Sequence, residues 1–184
     1  MPLSQDSAVI AALYIEAVRK GQPQWFRVIS GSMHPLLRIG EEVRVEPAAA
    51  GQIVVGEIAA FEIDEGLVIH RIVQRRQEDA GVQLVEMSDV HFRVGRVDAE
   101  AVVGRVVAIR RGHTSIDLQH PIAQKCGRVT ARVRYRLYTM RSGNKLAQVL
   151  IRKSARLVAR LTSWFVRRFC TTSRHEAATN HISN

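Results

Sequence analysis

The spacing of apolar positions divides the chain into three stretches. Over residues 4–20, Val9, Ala12, Leu13 and Ala17 recur at helical intervals behind a candidate cap at Ser4 or Ser7, and Gly21 with Pro23 closes the run. That pattern predicts a short amphipathic helix. From Trp25 to about Arg111 the period shortens to two. Glu42-Val43-Arg44-Val45-Glu46 alternates and stops at Pro47. Residues 25–29, 53–63, 67–73, 82–85 and 101–109 form further apolar runs, set apart by Gly40, Gly51, Gly66, Gly81 and Gly112. So many short runs predict a mainly β fold, an antiparallel β domain.

In the last third a helical period returns. Leu146, Leu150, Leu157, Leu161, Trp164 and Phe165 project along one side of a helix, and Arg152, Arg156, Arg160 and Arg167 gather on the other. The expected organisation is an N-terminal helix (1–24), a β-rich domain (25–112), a basic connecting segment (113–143), a basic amphipathic helix (144–170) and a flexible polar tail (171–184).

Composition narrows the class. With 184 residues, 46% of them apolar and 24% charged, the chain builds one sizeable core and is not a disordered protein. The net charge of +10 is unevenly spread. Residues 1–100 hold 10 basic and 15 acidic side chains, whereas residues 101–184 hold 17 and 2. Two cysteines, Cys126 and Cys170, exclude a disulfide scaffold, and no C-x-x-C or similar metal-ligand spacing occurs. The start lacks a cationic secretory pattern, and no uncharged apolar run approaches the ~18–20 residues that cross a bilayer. A cytoplasmic or peripherally attached protein is the expectation.

The sharpest local feature is Ser30-Gly31-Ser32-Met33-His34-Pro35-Leu36-Leu37, followed by Ile39-Gly40-Glu41. A serine beside glycine, ahead of Met-x-Pro, suits a strand-to-turn transition that exposes a hydroxyl. Further on come Gly56-Glu57-Ile58 and Val68-Ile69-His70-Arg71-Ile72-Val73. Taken in this order, the motifs resemble the signal peptidase I and LexA-type serine peptidase superfamily, in the branch where histidine replaces the lysine base. The similarity spans roughly residues 26–111.

The resemblance implies a fold and a set of roles. Ser32 is the implied nucleophile and His70 the general base that takes its proton, since a serine hydroxyl is a weak nucleophile unaided. Asp89, in Met87-Ser88-Asp89-Val90-His91, is the implied acceptor behind the imidazole, although Ser88 stands where the family has glycine. The Ser32 N–H and the Ser30 hydroxyl are the implied oxyanion donors. Met33 and Leu36 are expected beneath the nucleophile or along a substrate pocket. The implied substrate is a peptide or preprotein bound extended against a β edge, with small side chains beside the scissile bond. No metal, nucleotide or other cofactor is called for.

Other readings stay open. Ser32 also fits a turn serine and His70 a half-buried strand histidine. The chain also fits a non-catalytic peptide- or membrane-binding module on the same fold. A LexA-like self-cleaving regulator fits less well, because only about 25 residues precede the β domain and Ala50-Gly51 follows Ser32 rather than preceding it. Members of the signal peptidase family usually carry an N-terminal membrane anchor, and none is evident here. The basic helix admits three roles: packing back on the β domain, lying in an anionic membrane surface, or binding nucleic acid. The last is least favoured, for want of a reader motif or stacking platform.

Overall fold

The computed structural model describes residues 5–63, 66–79, 81–140 and 145–173. The fold is mainly antiparallel β, a curled half-barrel with three helices. Its strands are β1 (Gln24–Arg27), β2 (Glu42–Pro47), β3 (Ile58–Ile63), β4 (Gly66–Glu78), β5 (Gly81–Met87), β6 (Val94–Val97), β7 (Val102–Arg111), β8 (Thr114–Asp117) and β9 (Thr171–Ser173). They form one sheet in the order β1-β2-β7-β3-β4-β5-β6, with β8 beside β7 and β9 beside β8. Among the described residues the α-helices are α1 (Gln5–Arg19), α2 (Pro121–Thr139) and α3 (Lys145–Phe169).

Alternation sets which side chains enter the core. In β2, Val43 and Val45 are fully buried while the intervening Arg44 stays half-exposed. They join Val106 and Ile109 of β7, Ile15 and Val18 of α1, and Met33, Leu36 and Leu37 in one apolar cluster. Phe61, Ile72, Leu84 and Ile53 form a second cluster, and Val73, Val85 and Met87 a third that Ala131 of α2 covers. Each fully buried leucine or isoleucine contributes about 1.5–3 kcal/mol through water exclusion. The loop bearing Ser30 and Ser32 is thereby tied to the main core rather than hung on its surface.

Several elements depart from the expected organisation. The 53–63 run is broken at Gly56, whose φ of +102° belongs to the left-handed region, and only Ile58–Ile63 is strand. Strand β6 was not predicted, and segment 113–143 holds β8 and the 19-residue helix α2 rather than a plain connector. The buried face of α2 is Ala123, Gly127, Thr130, Ala131 and Arg134, a helical spacing written in small and polar residues. Of the expected polar tail, residues 171–173 form β9, and residues 174–184 lie outside the described ones.

The basic helix packs by an unexpected side. It buries Ala155, Ala159, Ser163 and Val166, while Leu150, Leu157 and Leu161 stay exposed. Thr162 of α3 meets Thr130 of α2 at 2.8 Å between hydroxyl oxygens. The side chain of Leu146 is outside the described set.

Candidate active site

Ser32 sits in a loop, residues 28–41, whose two ends are laced together. Val28 N–H donates to Glu41 O and Gly40 N–H to Val28 O, each at 2.8 Å. Buried Met33, Leu36 and Leu37 hold the loop from below. Glu41, itself buried, accepts from Arg38 N–H at 2.7 Å and pairs with Arg111 at 2.8 Å and Arg167 at 3.2 Å. Ser30 is left exposed and Ser32 half-buried, their hydroxyl oxygens 3.4 Å apart. Among the described residues the Ser32 N–H makes no hydrogen bond, so it is a free donor.

His70 lies in β4 opposite Ala59 of β3, its ring edge-on to Phe61 with centroids 6.2 Å apart. His70 Nδ1 is 2.7 Å from Glu86 Oε2, and the two side chains are only 19% and 14% exposed. Glu86 reaches it from β5, where it is registered with Ile72, two residues along β4 on the same face. On its other side Glu86 faces Gly95 of β6, and a Cβ at Gly95 would collide with the carboxylate. That glycine leaves the room Glu86 needs to lie beside the ring. A carboxylate on Nδ1 fixes the tautomer that carries its proton there and leaves the Nε2 lone pair available.

Ser32 and His70 both line one groove of about 560 Å³. Trp25, Phe26, Ile29, Met33 and Leu37 line it from the Ser32 side, and Leu67, Val68 and Ile69 from the His70 side, so the walls are predominantly apolar. Beside it the sheet is incomplete: β4 pairs with β3 over residues 66–71 but with β5 only from Arg71 onward. Among the described residues, residues 66–70 therefore keep one unpaired backbone edge, and β1 at the end of the sheet keeps another. The partner of the Ser32 hydroxyl is the Ser30 hydroxyl, not the imidazole. Leu36 is a core residue and does not line this groove, whereas Met33 does.

Asp89 is not the acceptor behind His70. Both of its oxygens are taken by Arg71, Nε to Oδ1 at 3.0 Å and Nη2 to Oδ2 at 2.7 Å, and Arg134 Nε stands 4.0 Å from Oδ1. Arg71 follows His70 in β4 and so points to the other side of the strand, drawing Asp89 with it. Burial pushes the Arg134 guanidinium down, Asp89 opposing that and Arg71 adding to it. A buried carboxylate here is a structural ion-pair centre, and its geometry still serves the loop. The adjacent Ser88 hydroxyl and Val90 N–H both donate to Ser32 O, at 2.5 and 3.1 Å. Arg134 Nη2 donates to Ser88 O at 2.8 Å. Helix α2 comes close enough for this because Gly127 abuts Gly56, with no space for a Cβ on either.

Glu86, Gly95 and Arg134 are thus site-supporting residues that the sequence motifs did not point to. The signal for Glu86 is a lone charge inside the apolar run Leu84-Val85-Glu86-Met87. Among the described residues no three His, Cys, Asp or Glu side chains converge as metal ligands. No family model matches the chain, and no curated protein matches it.

Proposed function

We propose that the protein is a serine endopeptidase of the signal peptidase type, with Ser32 as nucleophile and His70 as general base. The observation that carries this reading is the 2.7 Å contact from His70 Nδ1 to Glu86, on a ring that shares an apolar groove with Ser32. A carboxylate behind an imidazole, with an alcohol in the same cleft, is the arrangement that acyl transfer needs.

In this mechanism a peptide enters the groove extended and adds to the unpaired edge of residues 66–70, so its backbone is held by strand-type hydrogen bonds. The apolar walls suit a hydrophobic leader or a small apolar precursor. As the groove fills, the Ser32 hydroxyl exchanges Ser30 for His70 Nε2, a tightening common when substrate-free sites are occupied. Ser32 Oγ attacks the carbonyl carbon while Nε2 takes its proton. Glu86 steadies the imidazolium, and the Ser32 N–H with the Ser30 hydroxyl holds the oxyanion. The imidazolium then protonates the departing amine. Water, deprotonated by the same nitrogen, adds to the acyl carbon; the ester bond to Oγ breaks, the acyl product leaves as its carboxylate, and Ser32 recovers its proton from the imidazolium.

One observation favours a second reading, a peptide-binding module without catalysis: the Ser32 hydroxyl rests on Ser30 rather than on His70. Hydrolysis of a library of extended apolar peptides with small residues at the cleavage position separates the two. The peptidase reading requires cleavage by the wild type and none by Ser32→Ala or His70→Ala. Saturable peptide binding with no cleavage would favour the binding module.

A further inference from the structure

Helix α3 turns its bulky apolar residues to solvent. Leu150, Leu157, Leu161, Trp164 and Phe165 are 65, 57, 52, 58 and 43% exposed. At 3.6 residues per turn they fall in a single arc of roughly 100°. Beside that arc run Arg152, Lys153, Arg156 and Arg160, none of which has an ion-pair partner among the described residues. The 25-residue helix contains seven Lys or Arg and no Asp or Glu. We propose that α3 is a peripheral membrane anchor, which lies in the surface of an anionic bilayer with the Leu150–Phe165 stripe among the acyl chains and its arginines on the headgroups.

Charge and apolarity together select this occupant. A second copy of α3 would cover the stripe only by bringing two strongly cationic helices together. A nucleic acid would neutralise the arginines but leave leucines, Trp164 and Phe165 in water. An anionic bilayer satisfies both faces at once, and aromatic rings beside arginines suit its interfacial layer. The helix is not a span: no helix among the described residues is long and apolar enough to cross a membrane.

The anchor is wired to the serine loop. Arg167 of α3 donates to the carbonyls of Pro35 and Leu36 and pairs with Glu41. Arg156, Leu157 and Arg160 border a groove of about 480 Å³ whose other wall includes His34 and Pro35. A helix lying in the bilayer surface therefore tethers the Ser32 loop to a membrane-bound element. The anchor stands whether or not the groove is catalytic.

Flotation of the whole chain with phosphatidylglycerol–phosphatidylcholine vesicles, against phosphatidylcholine alone, tests it. Binding is expected to the anionic vesicles only, to weaken as salt rises from roughly 0.05 to 0.5 M, and to shift tryptophan emission to the blue in wild type but not in Trp164→Phe. Arg156→Glu/Arg160→Glu and Leu157→Ser/Leu161→Ser should each weaken partitioning by about tenfold or more. These side chains are exposed, so circular dichroism should report both double variants folded. Failure of folded wild type to float, or flotation of both variants undiminished from that of wild type, overturns the anchor. So does a dimer or a DNA complex that Leu157→Ser/Leu161→Ser or Arg156→Glu/Arg160→Glu abolishes while vesicles are ignored.

Discussion

His70 and Arg71 are consecutive in β4, and each is matched to its own carboxylate: His70 to Glu86 at 2.7 Å, Arg71 to Asp89 at 2.7 Å. Because neighbouring strand residues face opposite ways, one carboxylate serves the groove and the other the interior. In the proposed mechanism the first pair serves the chemistry and the second supports the serine loop.

Glu86→Gln should separate the first pair from its structural surroundings. An amide cannot stabilise an imidazolium and permits the wrong tautomer, so kcat/KM should fall about 10²–10⁴-fold. The thermal midpoint should move little. Gly95→Ala should show a similar loss, because the new methyl displaces the carboxylate. Peptide hydrolysis, with melting curves, checks both.

Asp89→Asn should act through stability instead. It leaves Arg71 and Arg134 buried without their shared carboxylate, and breaking a buried pair on one side costs about 3–5 kcal/mol. The turn that holds Ser32 O through Ser88 and Val90 should loosen with it. Urea unfolding should show the loss, and hydrogen exchange at Val90 N–H should quicken. An Asp89→Asn protein of undiminished stability but abolished activity would assign Asp89 a direct chemical role.

How much of this was legible in the sequence depended on the range of the signal. Val43 and Val45 announced a one-sided strand through alternation alone, and Ser32 and His70 stood out through the motifs around them. The partner of His70 did not, because it is chosen by register across β4 and β5, with an irregularity between Ile72 and Gln74 that no local pattern records. Helix α2 escaped notice because its inward face is Gly127, Thr130, Ala131 and Arg134 rather than leucines. In α3 the apolar stripe was plain, but its direction was not. Ala155 and Ala159, which offer little apolar area, are the side that packs.

The two thiols offer a check on packing away from the groove. Burial pushes both Cys126 and Cys170 up from the ordinary thiol range, with Arg71 opposing it at Cys126. The folded chain therefore keeps these protons where the unfolded chain releases them. This contribution is present below the unfolded thiol value of about 8.5 and is lost as pH climbs past it. A disulfide-exchange reagent at neutral pH should modify native protein far more slowly than urea-unfolded protein, and the urea midpoint should fall between neutral and alkaline pH. Equal reaction rates would show that these thiols are not enclosed.

Leu36→Ala tests the seat of the serine loop. Leu36 is 4% exposed in the cluster that also holds Met33 and Leu37. Truncation should cost about 2–5 kcal/mol, read as a lower melting temperature, with weaker hydrolysis as the loop shifts. Because Leu36 does not line the groove, the substrate's side-chain preference should stay unchanged.

The central claim is that Ser32 is an activated nucleophile, and covalent capture tests it most directly. Wild-type protein is treated with a fluorophosphonate and its intact mass measured, with the adduct placed by peptide mapping. The account predicts one adduct per chain, on Ser32, strongly diminished in His70→Gln and absent in Ser32→Ala. Folded wild type that stays unmodified under prolonged excess reagent, or an adduct on another residue, would contradict it.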